Sequence, residues 1–257
     1  MNSRARALPE VLLGILPIAL VLALWQGLTS AGMAPPSLLP PPAAVFVRLF
    51  QQLGEPVFLG HAATTLFRLF AGFAIAALIG VTLGVAATGN RTVEALLRPV
   101  VRVLAPVPKI ALYPAFILIL GFEHASKIAL VAADAAFPIL LATYQGTSAV
   151  EPKLVWSALA AGTSRRKALF TIVLPAALPS VLTGCRIGLV ISCIVVFLAE
   201  MISSTNGLGH LLVYASRSFE TVDMYVPLIV ISMLGLALNA GFNALRARLL
   251  AGFPESD

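Results

Sequence analysis

Lys109, Asp134 and Arg186 stand inside apolar runs long enough to cross a lipid bilayer, where an ionisable side chain is costly and is by default part of an ion or solute path. Two readings are open for them. Lys109 and Arg186 could supply a positive field for an anion crossing the bilayer, with the hydroxyls of Tyr113 and Ser192 as hydrogen-bond donors. Alternatively, Lys109 snorkels from the inner third of its run, and Arg186 pairs with Asp134 or a carbonyl as a structural lock. Glu200, followed by NGLGH at 206–210, adds a further candidate at the end of the run that holds Arg186; a polar loop with glycine turns explains it nearly as well.

A second group is chemically different. The stretch SALAAGTSRRKALFTIVLPAALP at 157–179 is a polar and cationic island between long apolar spans. A short helix around Trp156 should end near Gly162, whose missing side chain suits a turn and close approach by another protein. Thr163 or Ser164 can cap a second helix, while Arg165, Arg166 and Lys167 hold it on the aqueous side. Pro175 and Pro179 mark the return to the bilayer. Taken alone, the three cations are what any cytoplasmic loop carries to orient its spans.

Other chemistry is missing. No phosphate-cradling G-x-x-x-x-G-K-[ST] occurs, since Lys109, Lys127, Lys153 and Lys167 follow Pro, Ser, Pro and Arg; the chain has no nucleotide site of that kind. His61, His124 and His210 are far apart in sequence, and no Cys/His cluster has metal-ligand spacing. No metal site is expected. Cys185 and Cys193, the only cysteines, lie roughly 12 Å apart along one helix and cannot bridge each other. Ser192 and Ser203 lack a recognisable base, which argues against an intramembrane serine protease.

These groups need elements to hold them, and the composition says what the elements are. Hydrophobic residues make up 59% of 257 and charged residues 11%, with a mean hydropathy of +0.97, too apolar for a soluble domain. The chain reads as an all-α, polytopic membrane protein. A hydrocarbon core asks for about 20 mostly apolar residues per helix, and six spans qualify, at approximately 11–28, 66–88, 100–120, 127–145, 178–199 and 226–245. The net charge of +6 belongs to the ends of these runs and not to a nucleic-acid partner.

With the N-terminus inside, the inner segments hold eleven of the seventeen cations, and the outer ones hold only Arg48, Arg68, Lys127 and Arg217. This asymmetry predicts both termini in the cytoplasm. Arg4 and Arg6 before the first apolar run also fit a signal peptide, but the run is longer than a usual signal core. The linker PPSLLPPPAAVFVRLFQQLGEP is too proline-rich at its start to continue a helix. Beyond it, Val45, Phe46, Leu49, Phe50 and Leu53 share a face opposite Arg48, Gln51 and Gln52, as in an interfacial or an ordinary amphipathic packing helix. Gly80 and Gly84 form a small-xxx-small pair for close helix packing. Pro106, Pro108 and Pro114 should bend or break the start of the third span.

Gly162, nine residues, Ile172, one residue, Leu174 and Pro175 form the pattern G-x9-I-x-L-P. This resembles the latter part of the EAA signature of ABC-importer permeases. The runs PVPKIALYPAFILILGF, SKIALVAADAAFPILLATYQG, LPAALPSVLTGCRIGL and AEMISSTNGLGHLL, with WQ at 25–26 and LPPP at 39–42, are similar to the permeases serving nitrate, taurine and aliphatic sulfonates.

The resemblance implies a single permease domain over 1–257 of the type I ABC-importer fold, in the bacterial cytoplasmic (inner) membrane. The loop 146–177 would be cytoplasmic and contain the coupling helix. Its contact with the ATPase would fall to Trp156, Ser157, Ala158, Ala161, Gly162, Thr163 and Arg165. The implied partners are a second permease chain, as a homodimer, two ABC ATPase subunits that bind ATP and Mg, and an extracytoplasmic solute-binding protein. No cofactor is expected in this chain. The solute would be a small anion such as a sulfonate, taurine or nitrate. One departure stands out: the signature's Glu-Ala-Ala is here Trp156, Ser157 and Ala158, so a carboxylate contact is lost and Trp156 would replace it by apolar burial. The alternative is an ion-coupled secondary transporter with Asp134 as proton carrier.

Overall fold

A computed structural model describes residues 4–251, with side chains described from residue 16 onward. Twelve helices follow one another: α1 (Arg4–Ser30), α2 (Pro42–Leu53), α3 (Pro56–Gly89), α4 (Arg91–Leu104), α5 (Tyr113–Leu120), α6 (His124–Ser148), α7 (Pro152–Ala160), α8 (Arg165–Ala168), α9 (Leu174–Ala176), α10 (Leu178–Ile202), α11 (Leu208–Arg217) and α12 (Thr221–Leu249). Proline opens α2, α3 and α7, where its missing N–H costs nothing. Asn90 starts α4 by accepting from the Thr92 amide at 2.8 Å.

Helices α3, α6, α10 and α12 are long and apolar enough to cross a membrane, and a fifth crossing arises if α4 and Lys109–Leu120 count as one bent span. Among the described residues these correspond to four of the six expected spans, or five with the bent one. The expected span 100–120 is broken: its halves meet at 89°, because Pro106 and Pro108 withhold donors at the break and Pro114 starts α5 afresh. With eight residues, α5 is only about 12 Å long. Helix α4 carries Arg91, Glu94, Arg98 and Arg102 at helical spacing and buries nothing. The first expected span, 11–28, falls partly outside the described side chains; the apolar stretch described there is Leu16–Ser30.

Glycines let the central three helices close on one another. A Cβ at Gly80 would stand 2.8 Å from Ile139 of α6, and one at Gly84 2.7 Å from Thr143. On the other side of α6, a Cβ at Gly188 of α10 would meet the same Ile139 at 2.7 Å. The expected small-xxx-small packing is thus extended to a second helix, with backbones approaching closely on both faces of Ile139. The side chains of Ala76, Ala135, Ala136 and Ile139 fill this seam.

Helix α2 lies against α12. Val45 and Leu49 are buried, but Phe50, expected on the same inner face, is 73% exposed. Gln52, expected on the polar face, is buried and donates to Asp223 of α12 at 2.5 Å, beside Arg48 Nε at 2.6 Å. That hydrogen bond holds the Arg48 pKa above its ordinary value. Polar anchoring, not the apolar stripe alone, sets how α2 is turned.

Candidate functional site

The island forms a hairpin built by local chemistry. Pro152 opens α7, and the helix ends where the Gly162 amide bonds back to Leu159 O at 3.0 Å with Gly162 at φ +84°, a conformation that side chains rarely tolerate. Ser164 then caps α8 by accepting from the Lys167 amide at 3.3 Å. One turn of π-helix, Leu169–Val173, continues the chain into α9 and α10. Ala168 and Val173 are buried and anchor the hairpin, whereas α7 has no buried residue.

Trp156 is 66% exposed, and Ser157, Ala161, Gly162 and Arg165 are exposed beside it, with Ala158 and Thr163 half-buried. The structure brings the seven candidate residues of the hairpin onto one turn-and-helix surface. Behind them, a groove of about 500 Å³ runs to Thr88 and Gly89 at the end of α3 and to Thr147 and Ser148 at the end of α6. The groove therefore lies between the hairpin and the ends of α3 and α6.

The intramembrane candidates separate. Lys109 Nζ lies 3.7 Å from Asp134 Oδ1, donates to Ala105 O at 3.1 Å and sits 4.4 Å from the centre of the Phe137 ring. Asp134 thus meets Lys109 and not Arg186. Tyr113 is buried and donates to Ser203 O at 3.3 Å. Ser192 is buried and donates to Gly188 O at 2.8 Å within its own helix. Neither hydroxyl is directed to a shared path with Lys109. Arg186 has no ion pair among the described residues and lines an apolar cavity between α10 and α12.

Glu200 is completely enclosed. Its carboxylate accepts from Arg68 Nη1 at 2.7 Å, Thr65 Oγ1 at 2.8 Å and the Gly209 amide at 3.1 Å. Thr65 in turn accepts from the Leu208 amide at 2.9 Å. Arg68 also donates to Asn206 and, through Nε at 3.2 Å, to His124 Nδ1. His61 Nδ1 accepts from the Gly207 amide at 2.9 Å, and its ring lies 6.0 Å from that of His210. A Cβ at Gly207 would collide with the Glu200 carboxylate. The NGLGH segment is a glycine-dependent clasp around a buried ion pair.

Arg68 and Lys127 need correction. The sequence places both among the cations of the outer segments, yet both are buried in helices. Lys127 Nζ bonds Phe122 O at 2.5 Å and Glu123 O at 3.1 Å. The signal was present: each falls at the edge of an expected span, 66–88 and 127–145, and a cation inside a span requires a partner.

Long spans around a glycine-tight centre, with an exposed hairpin at one end and no phosphate-binding loop, define a membrane-embedded transport subunit. A family model described as "Binding-protein-dependent transport system inner membrane component" matches residues 76–252. The chain belongs to that family, and it is the transmembrane permease subunit of an ABC importer, not itself an ATPase. Membership implies an ATPase and a binding protein as partners, and it sets aside the ion-coupled carrier built on Asp134.

Relatives match nearly end to end. The taurine transport system permease protein TauC of Escherichia coli (strain K12) is 31% identical, covering 93% of this chain and 89% of its own length. The putative aliphatic sulfonates transport permease protein SsuC of Bacillus subtilis (strain 168) is 29% identical, over 92% and 86%. Among solved structures, a chain of the MetNI methionine ABC transporter in an inward-facing conformation superposes with a TM-score of 0.58 at 20% identity, covering 80% of this chain and 96% of that chain. At that identity the likeness is one of fold.

Proposed function

We propose that two copies of this chain form the membrane path of the importer, each gripped at the loop 146–177 by one ATPase subunit. ATP and Mg are held by the ATPase, and both termini face the cytoplasm with the hairpin. A binding protein delivers the solute at the opposite face, where the Glu200 clasp and α11 lie. The solute is a small organic anion of the sulfonate or taurine kind, for which TauC and SsuC are named.

One observation carries this reading: a helix with no buried residue that presents Trp156 at 66% exposure. Tryptophan is enriched among the residues that anchor protein contacts, and the missing signature Glu is compatible with an apolar grip. Closure of the ATPase would push α7 against the ends of α3 and α6 and so tilt the spans. The test is ATP-dependent uptake by the assembled importer in proteoliposomes after residues 156–167 are replaced with a Gly/Ser linker. Uptake should vanish; uptake at the unaltered level would refute the assignment.

A further inference from the structure

His61, His124 and His210, far apart in sequence, converge on the Glu200 clasp from three helices. His61, near the start of α3, accepts from the Gly207 amide at 2.9 Å. His124, the first residue of α6, accepts through Nδ1 from Arg68 Nε at 3.2 Å. His210, on α11, has its ring centre 6.0 Å from that of His61 and 6.2 Å from that of Tyr214. Two of the three rings thus serve as acceptors, and a ring nitrogen accepts only while it carries no proton.

Both contacts bear on the segment that covers Glu200. Gly207 leads into α11, and the next two amides bond Thr65 and the Glu200 carboxylate. Arg68 pairs with Glu200 and donates to Asn206 O at 3.0 Å. Two cavities border the rings. His210 lines one of about 330 Å³ with Glu123, Tyr214 and Arg217, and His61 lines one of about 170 Å³ with Arg48, Glu55, Tyr214, Glu220 and Asp223. Arg48 pairs with Asp223 at 2.6 Å and with Glu55 at 3.4 Å, so it offsets part of the negative charge around His61, and the remainder favours a proton arriving there. Around His124 stand Arg68, Lys127 one turn on, the adjacent Glu123 and, through Arg68, Glu200.

We propose that His61 and His124 are positioning residues of a proton-sensitive latch, which holds 203–210 over Glu200 while both rings are neutral and releases it when they take protons from the outer side. The inference rests on the permease reading above, which puts this clasp on the face opposite the ATPase. A protonated ring has two donors and no acceptor. His61 would then turn an N–H toward the Gly207 N–H, and His124 would set a second cation 3.2 Å from Arg68 Nε. A charge on His210 adds repulsion across the 6.0 Å to His61. The contacts are therefore present above the histidine range and are lost as pH falls through it, about 6.5 for an ordinary imidazole. Alternating access requires the outer mouth to close behind the solute, so a released latch lowers uptake.

The test is the mobility of a nitroxide on Thr205→Cys, an exposed position of the segment, in a Cys185→Ala, Cys193→Ala background. It is read by electron paramagnetic resonance on the permease–ATPase complex in nanodiscs, from about pH 8 to about pH 5. The label should be held at the upper end and freed at the lower. The double variant His61→Gln, His124→Gln, whose amide oxygens accept but do not titrate, should keep it held throughout, and His61→Ala should free it at every pH. In proteoliposomes with ATP enclosed at about pH 7.5 and binding protein and radiolabelled taurine outside, lowering the outer pH to about 5.5 should cut uptake about fivefold or more. The double Gln variant should change less than about twofold. A label indifferent to pH, a pH response that survives in the double Gln variant, or equal falls in uptake would overturn the inference. No taurine uptake at any pH would count against the solute named above, and the label measurement would still decide the latch.

Discussion

Replacing Glu200 by Ala should destabilise the fold more than any change on the hairpin, and the size follows from what it leaves behind. The substitution strands the Arg68 guanidinium at 1% exposure, and it orphans the Gly209 amide, which now bonds the carboxylate at 3.1 Å, while the Thr65 hydroxyl keeps only its longer bond to His61 O at 3.3 Å as a donor. Removing one member of a buried ion pair costs about 3–5 kcal/mol. Arg68→Met alone should cost a similar amount, because it leaves the carboxylate uncompensated. The double variant Arg68→Met, Glu200→Leu removes both charges and should cost only about 1–3 kcal/mol, chiefly for the unsatisfied Gly209 amide. Reversible unfolding in mixed detergent micelles, run as a double-mutant cycle with Glu200→Leu as the second single variant, should therefore give a coupling energy of about 3–9 kcal/mol. The reasoning is refuted if the single losses add. It is also refuted if Glu200→Gln lowers uptake while leaving the unfolding free energy within about 0.5 kcal/mol, for then Glu200 serves the solute path and not the clasp.

Trp156→Ala should leave the unfolding of the isolated permease unchanged but weaken its affinity for the ATPase about 30-fold, the equivalent of a 2 kcal/mol hot spot, as measured by equilibrium association in detergent. Trp156→Glu, which restores the signature carboxylate, should lower ATPase coupling if the aromatic carries the contact; a rise would show that the carboxylate is the better grip. Gly84→Val would drive a side chain into Thr143 of α6 and should cost about 1–3 kcal/mol by overpacking, read as a lower unfolding midpoint. Permease alone in liposomes under a pH gradient should accumulate no solute, with or without Asp134→Asn, because Asp134 is held by Lys109; gradient-driven uptake lost in Asp134→Asn would restore the ion-coupled reading.

Features fixed by neighbours in sequence were legible before any coordinates. The run of apolar residues in 178–199 can only be a long helix, and Gly162 with Ser164 two positions on can end one helix and start the next without help from elsewhere. The break near Pro106 and Pro108 was legible too, but not its 89° angle, because hydropathy is the same for a kinked span and for two short helices. What stayed hidden depends on how one helix is rotated against another. Apolar periodicity says that 100–120 and 127–145 are buried somewhere; it does not say that Lys109 faces Asp134 while Arg186, on α10, faces α12. Arg68 shows why charge tallies fail at span edges: the same residue that would orient a helix if exposed becomes, once Glu200 and Asn206 close over it, part of the core. The pairing of these charges is therefore a property of the packed bundle, set by which helix faces meet and not by the spacing of charges along the chain.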